Sequence, residues 1–227
     1  MVTDEKMIIT IDGPAAAGKG TLAAKLAEKF GLTYFDTGMV YRAVGLQMIL
    51  EKIPLDDAPA AENFAKNLTF QKMIELSKYS DFRSLEGSHA ASTVAAIPAV
   101  RAALLKMQQD FSKKPVFADG TPANGAIYDG RDTGTVVCPD ADIKFFITAS
   151  PEVRAMRRFK EYEAKGEASS YEKVLEQTIA RDKNDFARES SQPAKDAIIV
   201  DTSELSIDEV FEKVCEILKD KQKMLEK

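Results

Sequence analysis

Met7-Ile-Ile-Thr-Ile11-Asp12-Gly13-Pro14-Ala15-Ala16-Ala17-Gly18-Lys19-Gly20-Thr21 is the stretch on which the reading of this chain turns. Met7 to Ile11 is short, apolar and rich in β-branched residues, and it closes on Asp-Gly, as a buried strand does. From Lys19 to Phe30 the period changes. Leu22, Leu26, Ala27 and Phe30 share one helical face, and Gly31 stops the helix. Between strand and helix, Gly13 to Lys19 follows the pattern G-x-x-x-x-G-K of a phosphate-binding loop. Its glycines let successive backbone N–H groups converge on an anion, the helix N-terminus adds its dipole, and Lys19 can reach the outer phosphates. The usual pattern places Ser or Thr directly after the lysine to meet Mg²⁺. Here Gly20 takes that place and Thr21 follows, so Thr21 can meet the metal either directly or through water.

Working outward, Leu32 to Phe35 reads as a second strand, and Thr37 can cap a helix running to about Glu51. Ile53 to Gly87 is less regular, carries two prolines and holds one expected helix near Glu62 to Asn67; it reads as an inserted segment. Ala90 to Phe111 is helical and interrupted at Pro98, a residue suited to the first position of a second helix. Lys113 to Asn124 is an expected loop. Ala126 to Asp129, Ile143 to Thr148 and Ile198 to Asp201 are further short apolar runs. Pro151 to Lys165 reads as a basic helix ended by Gly166. Ser169-Ser170-Tyr171-Glu172 and Ser206-Ile207-Asp208-Glu209 have capping-box spacing for two more helices. About five strands alternate with helices, which predicts an α/β fold with a parallel five-stranded sheet flanked by helices.

Composition narrows the function. The 227 residues, 44% hydrophobic, suit one globular domain with a smaller accessory lobe. No run of 18 apolar residues predicts a membrane span, and the apolar start is too brief for a signal peptide. Two cysteines, Cys138 and Cys215, do not make a disulfide framework, so a reduced cytoplasmic protein with buried or inert thiols is expected. The single histidine, His89, rules out a histidine-rich metal site and reads as helix decoration. A net charge of −5 argues against a general nucleic-acid binder. Nothing calls for more than a monomer.

The arginines number nine against 22 lysines, and all lie between Arg42 and Arg188. Arginine offers phosphate a planar fork, whereas lysine offers a point charge. Arg42 follows Asp36-Thr37-Gly38-Met39-Val40-Tyr41 just beyond the second strand, and Asp129-Gly130-Arg131-Asp132-Thr133-Gly134-Thr135 follows the third. Ligands of open α/β sheets bind at such strand ends. Arg154, Arg157 and Arg158 share one helical face, as do Arg181, Asp185 and Arg188. Five of nine arginines in the 35 residues from Arg154 to Arg188 read as a lid that closes over phosphates.

With these residues together, the sequence resembles the bacterial cytidylate kinases, nucleoside-monophosphate kinases of the phosphate-loop class. The resemblance rests on Ile11 to Pro14 with Gly18 to Thr21, on Asp36-Thr37-Gly38 with Tyr41-Arg42, and on Ala90-Ala91-Ser92 through Val100-Arg101. It continues through Asp129-Gly130-Arg131-Asp132 with Gly134 to Val137, and through Arg181-Asp182 to Asp185 and Arg188. It implies transfer of the ATP γ-phosphate to CMP or dCMP with Mg²⁺, on one kinase domain. The core would comprise residues 1–50, 90–150 and 190–227, with a monophosphate-binding insert at about 51–89 and a lid at about 154–188.

By position, the loop Gly13, Pro14, Ala15, Ala16, Ala17, Gly18, Lys19, Gly20 and Thr21 would bind ATP. Asp36, Thr37, Gly38, Tyr41 and Gly130 would border CMP. Ser92, Arg101 and Asp132 would read its base, Arg42, Arg131 and Arg188 would grip its phosphate, and Arg181 with Asp185 would hold its sugar. Lys19, Arg131, Asp132, Arg154 and Arg158 would form the catalytic set, with Arg154 and Arg158 approaching the ATP phosphates. The loop Thr202 to Ser206 would border the adenine. Two departures stand out: Thr37 replaces a serine, and the segment between Arg42 and Ser92 is short, with no clear three-stranded sheet. A kinase for another monophosphate or for a small acceptor such as shikimate remains an alternative. So does a non-catalytic nucleotide switch, although no Asn-Lys-x-Asp guanine motif is present.

Overall fold

The structure, a computed structural model, describes residues 6–164, 166, 168–187 and 189–225, the side chains of Leu85 and of residues 221–225 excepted. Five strands form one sheet: β1 (Met7–Asp12), β2 (Thr33–Asp36), β3 (Gly125–Gly130), β4 (Ile143–Thr148) and β5 (Ile198–Asp201). Their order is β2-β3-β1-β4-β5. β1 and β4 run parallel with Ile9 opposite Ile143 and Ile11 opposite Phe145. β4 and β5 run parallel with Phe145 opposite Ile198 and Ile147 opposite Val200. Strand β1 is central, which carries the loop after it to the middle of the sheet's C-terminal edge, where the strand order reverses.

Nine α-helices accompany the strands among the described residues: α1 (Lys19–Phe30), α2 (Gly38–Leu50), α3 (Ala58–Asn67), α4 (Phe70–Leu76), α5 (Leu85–Ala95), α6 (Pro98–Lys113), α7 (Pro151–Ala164), α8 (Tyr171–Phe186) and α9 (Ile207–Leu225). No single helix among them is long and apolar enough to cross a membrane. The chain divides into two compact units, one of Phe35–Gly125 with Lys6 and one of Met7–Tyr34 with Ala126–Lys227.

In the second unit, the β-branched and aliphatic residues of β1 and β4 make the core. Ile9, Ile11, Ile127, Phe145, Ile147 and Val200 are buried with Leu22 and Leu26 of α1 and Val210, Val214 and Leu218 of α9. Each such side chain contributes about 1.5–3 kcal/mol by leaving water. The alternating faces of α1 and α9 therefore pin the first turn of α1, and with it the phosphate loop. Cys215 lies in this core and Cys138 is buried too, both as free thiols.

The first unit is helical where the sequence is read as irregular. Instead of one helix between Ile53 and Gly87 it holds α3, α4, a 3₁₀ turn at Ser80–Arg83 and the start of α5. Side-chain oxygens cap these helices. Asp57 accepts from Ala60 N at 3.0 Å, Thr69 from Lys72 N at 3.1 Å and Ser84 from Gly87 N at 3.0 Å. Pro59 falls in the first turn of α3, where no N–H is needed. The ring of Phe111 lies 4.6 Å from that of Phe35 and 4.9 Å from that of Phe70, closing the unit around aromatic contacts.

Two local expectations are corrected. Thr37 makes no side-chain cap at α2; the preceding Asp36 does, accepting from Gly38 N at 2.9 Å. At α8 the cap is Ser170, whose Oγ accepts from Lys173 N at 3.3 Å, one residue later than a Ser169–Glu172 box. The Asp132-Thr133-Gly134 turn leads into a π-helical turn at Thr133–Val137. A buried carboxylate 121 residues earlier holds that turn, a link no local pattern displays.

Candidate active site

The phosphate loop is built against β4. At Gly13 φ is +139° and a side-chain carbon would stand 1.9 Å from Ile147 O, so only glycine fits there. Ala16 takes a left-handed conformation at φ 60°, and Gly18 follows at φ 90°. Helix α1 then begins with no side-chain cap and no acidic residue in its first turn. Its first N–H groups are left for a ligand, in the geometry of an anion site.

Lys19 is the charge of that site and is almost wholly buried. Its Nζ donates to Pro14 O at 2.9 Å and stands 3.8 Å from Asp129. Burial pulls its pKa down to about 7, helped by the nearby Arg131 cation and opposed by Asp129 and Asp12. The loop thus stores a lysine whose charge is costly until an anion arrives.

The structure gives the reason for Gly20. A side-chain carbon there would approach Asp129 Oδ2 and Tyr34 OH, each to 3.3 Å, while Tyr34 OH donates to Asp129 Oδ2 at 3.2 Å. The usual Ser or Thr would crowd this pair. Thr21, the next residue, is exposed on the first turn of α1. Asp129 and Tyr34 were not among the expected site residues. Asp129 opens the Asp-Gly-Arg-Asp segment that the sequence reading singled out, but it was given no role of its own there.

Asp12 holds the Asp-Gly-Arg-Asp segment in place. One carboxylate oxygen accepts from Thr133 N (2.9 Å) and Thr133 Oγ1 (2.8 Å), the other from Gly134 N (2.7 Å). Burial raises its pKa, and these three donors work against that shift. Asp132 stands directly before this turn as its N-terminal residue. Beside it, Arg131 Nε donates to Asp185 Oδ2 at 3.1 Å, and Arg181 Nε lies 3.8 Å from the same oxygen. Arg131 and Arg181, 50 positions apart in the sequence, thus share the Asp185 carboxylate. Arg188, and Lys165 as the expected end of the helix from Pro151, lie outside the described residues.

The three arginines of α7 part ways. Arg154 is buried and paired bidentately with Asp182. Arg157 donates to Thr202 Oγ1 at 3.0 Å and Thr202 O at 2.7 Å, which ties α7 to the loop after β5. Arg158 lies over the ring of Tyr162, to whose OH it donates at 3.0 Å, in a cleft with Ala15, Ala16 and Arg181.

Gly130 ends β3, and the remaining expected residues belong to the Phe35–Gly125 unit. Arg42 donates to Ser88 Oγ at 2.9 Å and Phe82 O at 3.3 Å. The guanidinium of Arg101 stacks 5.9 Å from the centre of the Tyr41 ring. Ser92 is exposed and donates back to Ser88 O at 3.0 Å. Arg83 is an addition that the sequence reading passed over; its NH2 is 3.4 Å from Asp36 Oδ2. Among the described residues, no cluster of three or more His, Cys, Asp or Glu side chains is placed to hold a metal ion.

Residues 9–220 match the family model described as cytidylate kinase. The chain belongs to the cytidylate kinase family. It is 46% identical over 207 residues to the cytidylate kinase of Methylocella silvestris, covering 90% of each chain. It is 46% identical over 206 residues to that of Paramagnetospirillum magneticum, covering 90% of this chain and 93% of the relative. It is 44% identical over 218 residues to that of Granulibacter bethesdensis, covering 95% and 98%. A solved shikimate kinase from Bacteroides thetaiotaomicron aligns over 94% of this chain and 98% of its own, at 16% identity and a TM-score of 0.47. Family membership sets aside the nucleotide-switch alternative.

Proposed function

We infer that this cytidylate kinase family member transfers the γ-phosphoryl group of ATP to CMP or dCMP, giving ADP with CDP or dCDP. The observation that carries the reading is the family match over residues 9–220. A phosphate oxygen of the acceptor attacks the γ-phosphorus, and the bond from that phosphorus to the β–γ bridging oxygen breaks. The protein's work is positioning and charge neutralisation rather than covalent chemistry.

In this reading the amides of Gly13 to Thr21 bind the ATP phosphates, and Lys19 regains its full charge against them. Arg154 and Arg158 serve the ATP side from α7. Arg42, Arg131 and Arg188 hold the acceptor phosphate, and Arg181 with Asp185 the sugar. Asp36, Thr37, Gly38, Tyr41 and Gly130 border the acceptor. Asp132 accepts from the cytosine amino group, while Ser92 and Arg101 donate to its N3 and O2. Uracil places a carbonyl where cytosine has the amino group, which would face Asp132 unfavourably. The α7–α8 hairpin is the lid, and its closure keeps water from competing as acceptor.

Mg²⁺ suits the oxygen donors present. Asp129 beside Lys19 and the hydroxyl of Thr21, each acting through water, fit an ion that travels on ATP and keeps most of its water shell. Bound there, it would neutralise charge on the transferring phosphates.

The test is ADP release from ATP and Mg²⁺ with CMP, dCMP, UMP, AMP or GMP, and with no acceptor. Turnover is expected with CMP and dCMP; equal turnover with the purine nucleotides, or without acceptor, overturns the reading. Asp132→Ala should cut the CMP-over-UMP preference by about tenfold or more, and an unchanged preference removes Asp132 from the base-reading set.

A further inference from the structure

Three carbonyls of the phosphate loop have donors on the protein side. Lys19 Nζ takes Pro14 O at 2.9 Å, and Arg154 NH1 takes Ala15 O at 3.3 Å. Thr202 Oγ1 lies 3.3 Å from Ala17 O and 3.1 Å from Thr148 O, sharing its one proton between them, and is itself held by Arg157. A peptide plane points its C=O and the following N–H in opposite directions. Fixing these carbonyls toward the protein therefore turns the N–H groups of Ala15, Ala16 and Gly18 the other way. Ala16 pays for the arrangement with its left-handed φ of 60°. The result is a concave row of donors preset for phosphate.

Arg154 has little left to offer a ligand directly. A guanidinium carries five N–H donors. Nε is spent on Ala149 O at 2.8 Å, NH1 on Ala15 O and on Asp182 Oδ1 at 3.0 Å, and NH2 on Asp182 Oδ2. One N–H remains, on a residue that is 2% exposed. Arg158, one position beyond Arg157, sits instead in the cleft beside the loop.

Resting on the kinase reading of this loop, we propose that Arg154 is a positioning residue. Clamped by Asp182, it holds the Ala15 carbonyl and so aims the Ala16 amide at the ATP phosphates. Asp182 is thereby a functional residue of the ATP site although it carries the same sign of charge as the ligand.

That sign makes the test decisive. If Asp182 only holds Arg154 back from the phosphates, Asp182→Asn removes a negative charge, frees the arginine, and leaves ATP binding equal or tighter. On the proposal, the same isosteric change loosens the clamp and weakens ATP binding by about tenfold or more. Binding of Mg-ATP and of inorganic tripolyphosphate to the full chain is measured by titration calorimetry. The Ala16 amide is followed by ¹⁵N NMR; its ligand-induced shift should shrink in the variant. Equal or tighter binding with a full Ala16 shift overturns the proposal. If Asp182→Asn does not fold, Arg154→Lys decides. It keeps the charge, but one ammonium cannot span Ala149 O, Ala15 O and Asp182. Wild-type affinity in that variant overturns the proposal, and loss of affinity with charge retained supports it. Neither arm uses an acceptor, so a wild-type protein inert toward CMP would sink the kinase reading while leaving this result readable.

Discussion

Helix α1 and the helices α3, α4, α5 and α8 begin in opposite ways. The latter four are each closed by a side-chain oxygen, from Asp57, Thr69, Ser84 and Ser170. Helix α1 starts at Gly18 with no side-chain cap, no acid in its first turn and a buried lysine as its first residue. A cap is worth about 1 kcal/mol, and the chain forgoes it at α1, as it does at α6, which opens on Pro98; in the proposed function a phosphate supplies the missing acceptor at α1. A helix start without a cap is, in this setting, a binding surface.

The largest break in that contrast comes from Lys19→Met. It should lower kcat by about a thousandfold in the ADP-release assay. The same change removes a buried charge, so the melting temperature without nucleotide should hold or rise; a fall would mean that Lys19 supports the fold. Thr21→Glu makes α1 resemble α5 and α8, which carry Glu86 and Glu172 in their first turns. Stability should rise by about 0.5 kcal/mol through the helix dipole, while KM for ATP rises about tenfold by repulsion at close range. Both effects are read from one preparation, by denaturant titration and steady-state kinetics, and tighter ATP binding would contradict the anion-site reading.

A smaller effect is protonic. With its pKa drawn down to about 7, Lys19 is largely neutral at pH 8 in the free protein. Phosphate binding raises that pKa, so ATP should be bound with uptake of up to about one proton. Calorimetric enthalpies in buffers of different ionisation heat will give the number, and a buffer-independent enthalpy would place the lysine charged beforehand. The stability of the free protein follows the same group. Above the folded pKa the native lysine is neutral while the unfolded one stays protonated up to its ordinary value of 10.5. The unfolded state then binds more protons, and this group's contribution to stability rises with pH between those two values. Below about pH 7 both states are protonated and the contribution is flat at its least favourable. The smallest effect is Ser84→Ala at an ordinary cap, which should cost about 1 kcal/mol and leave KM for ATP untouched.

Much of this was legible in the sequence, for reasons that differ by region. Strand β1, the glycine turn and α1 follow one another locally, so periodicity and spacing were enough to read them. The parallel sheet followed from the alternation of apolar runs with helices. The helices between Ala58 and Ala95 were less legible, because prolines in that segment read as breakers although Pro59 occupies a first turn where proline is harmless. The face of α7 was read correctly as a cluster of arginines. Yet spacing at i, i+3 and i+4 could not say that Arg154 turns inward to Asp182, Arg157 to Thr202 and Arg158 to the cleft. For Arg154 and Arg157 those outcomes depend on partners 28 and 45 residues away.

What the sequence determined by itself was the chemistry of the first turn of α1 and the supply of cations, since both are written in contiguous residues whose backbone preferences are local. Only the tertiary structure decided how the loop is aimed. Asp12 reaching Thr133 and Gly134, Arg154 taking the carbonyl of Ala15, and Asp129 crowding any side chain at Gly20 are all contacts between segments far apart in the chain. Hydrogen bonds of that kind form only once the apolar core has fixed the strands and helices that carry them. Burial of the same groups then sets their charge, which no local pattern of residues encodes.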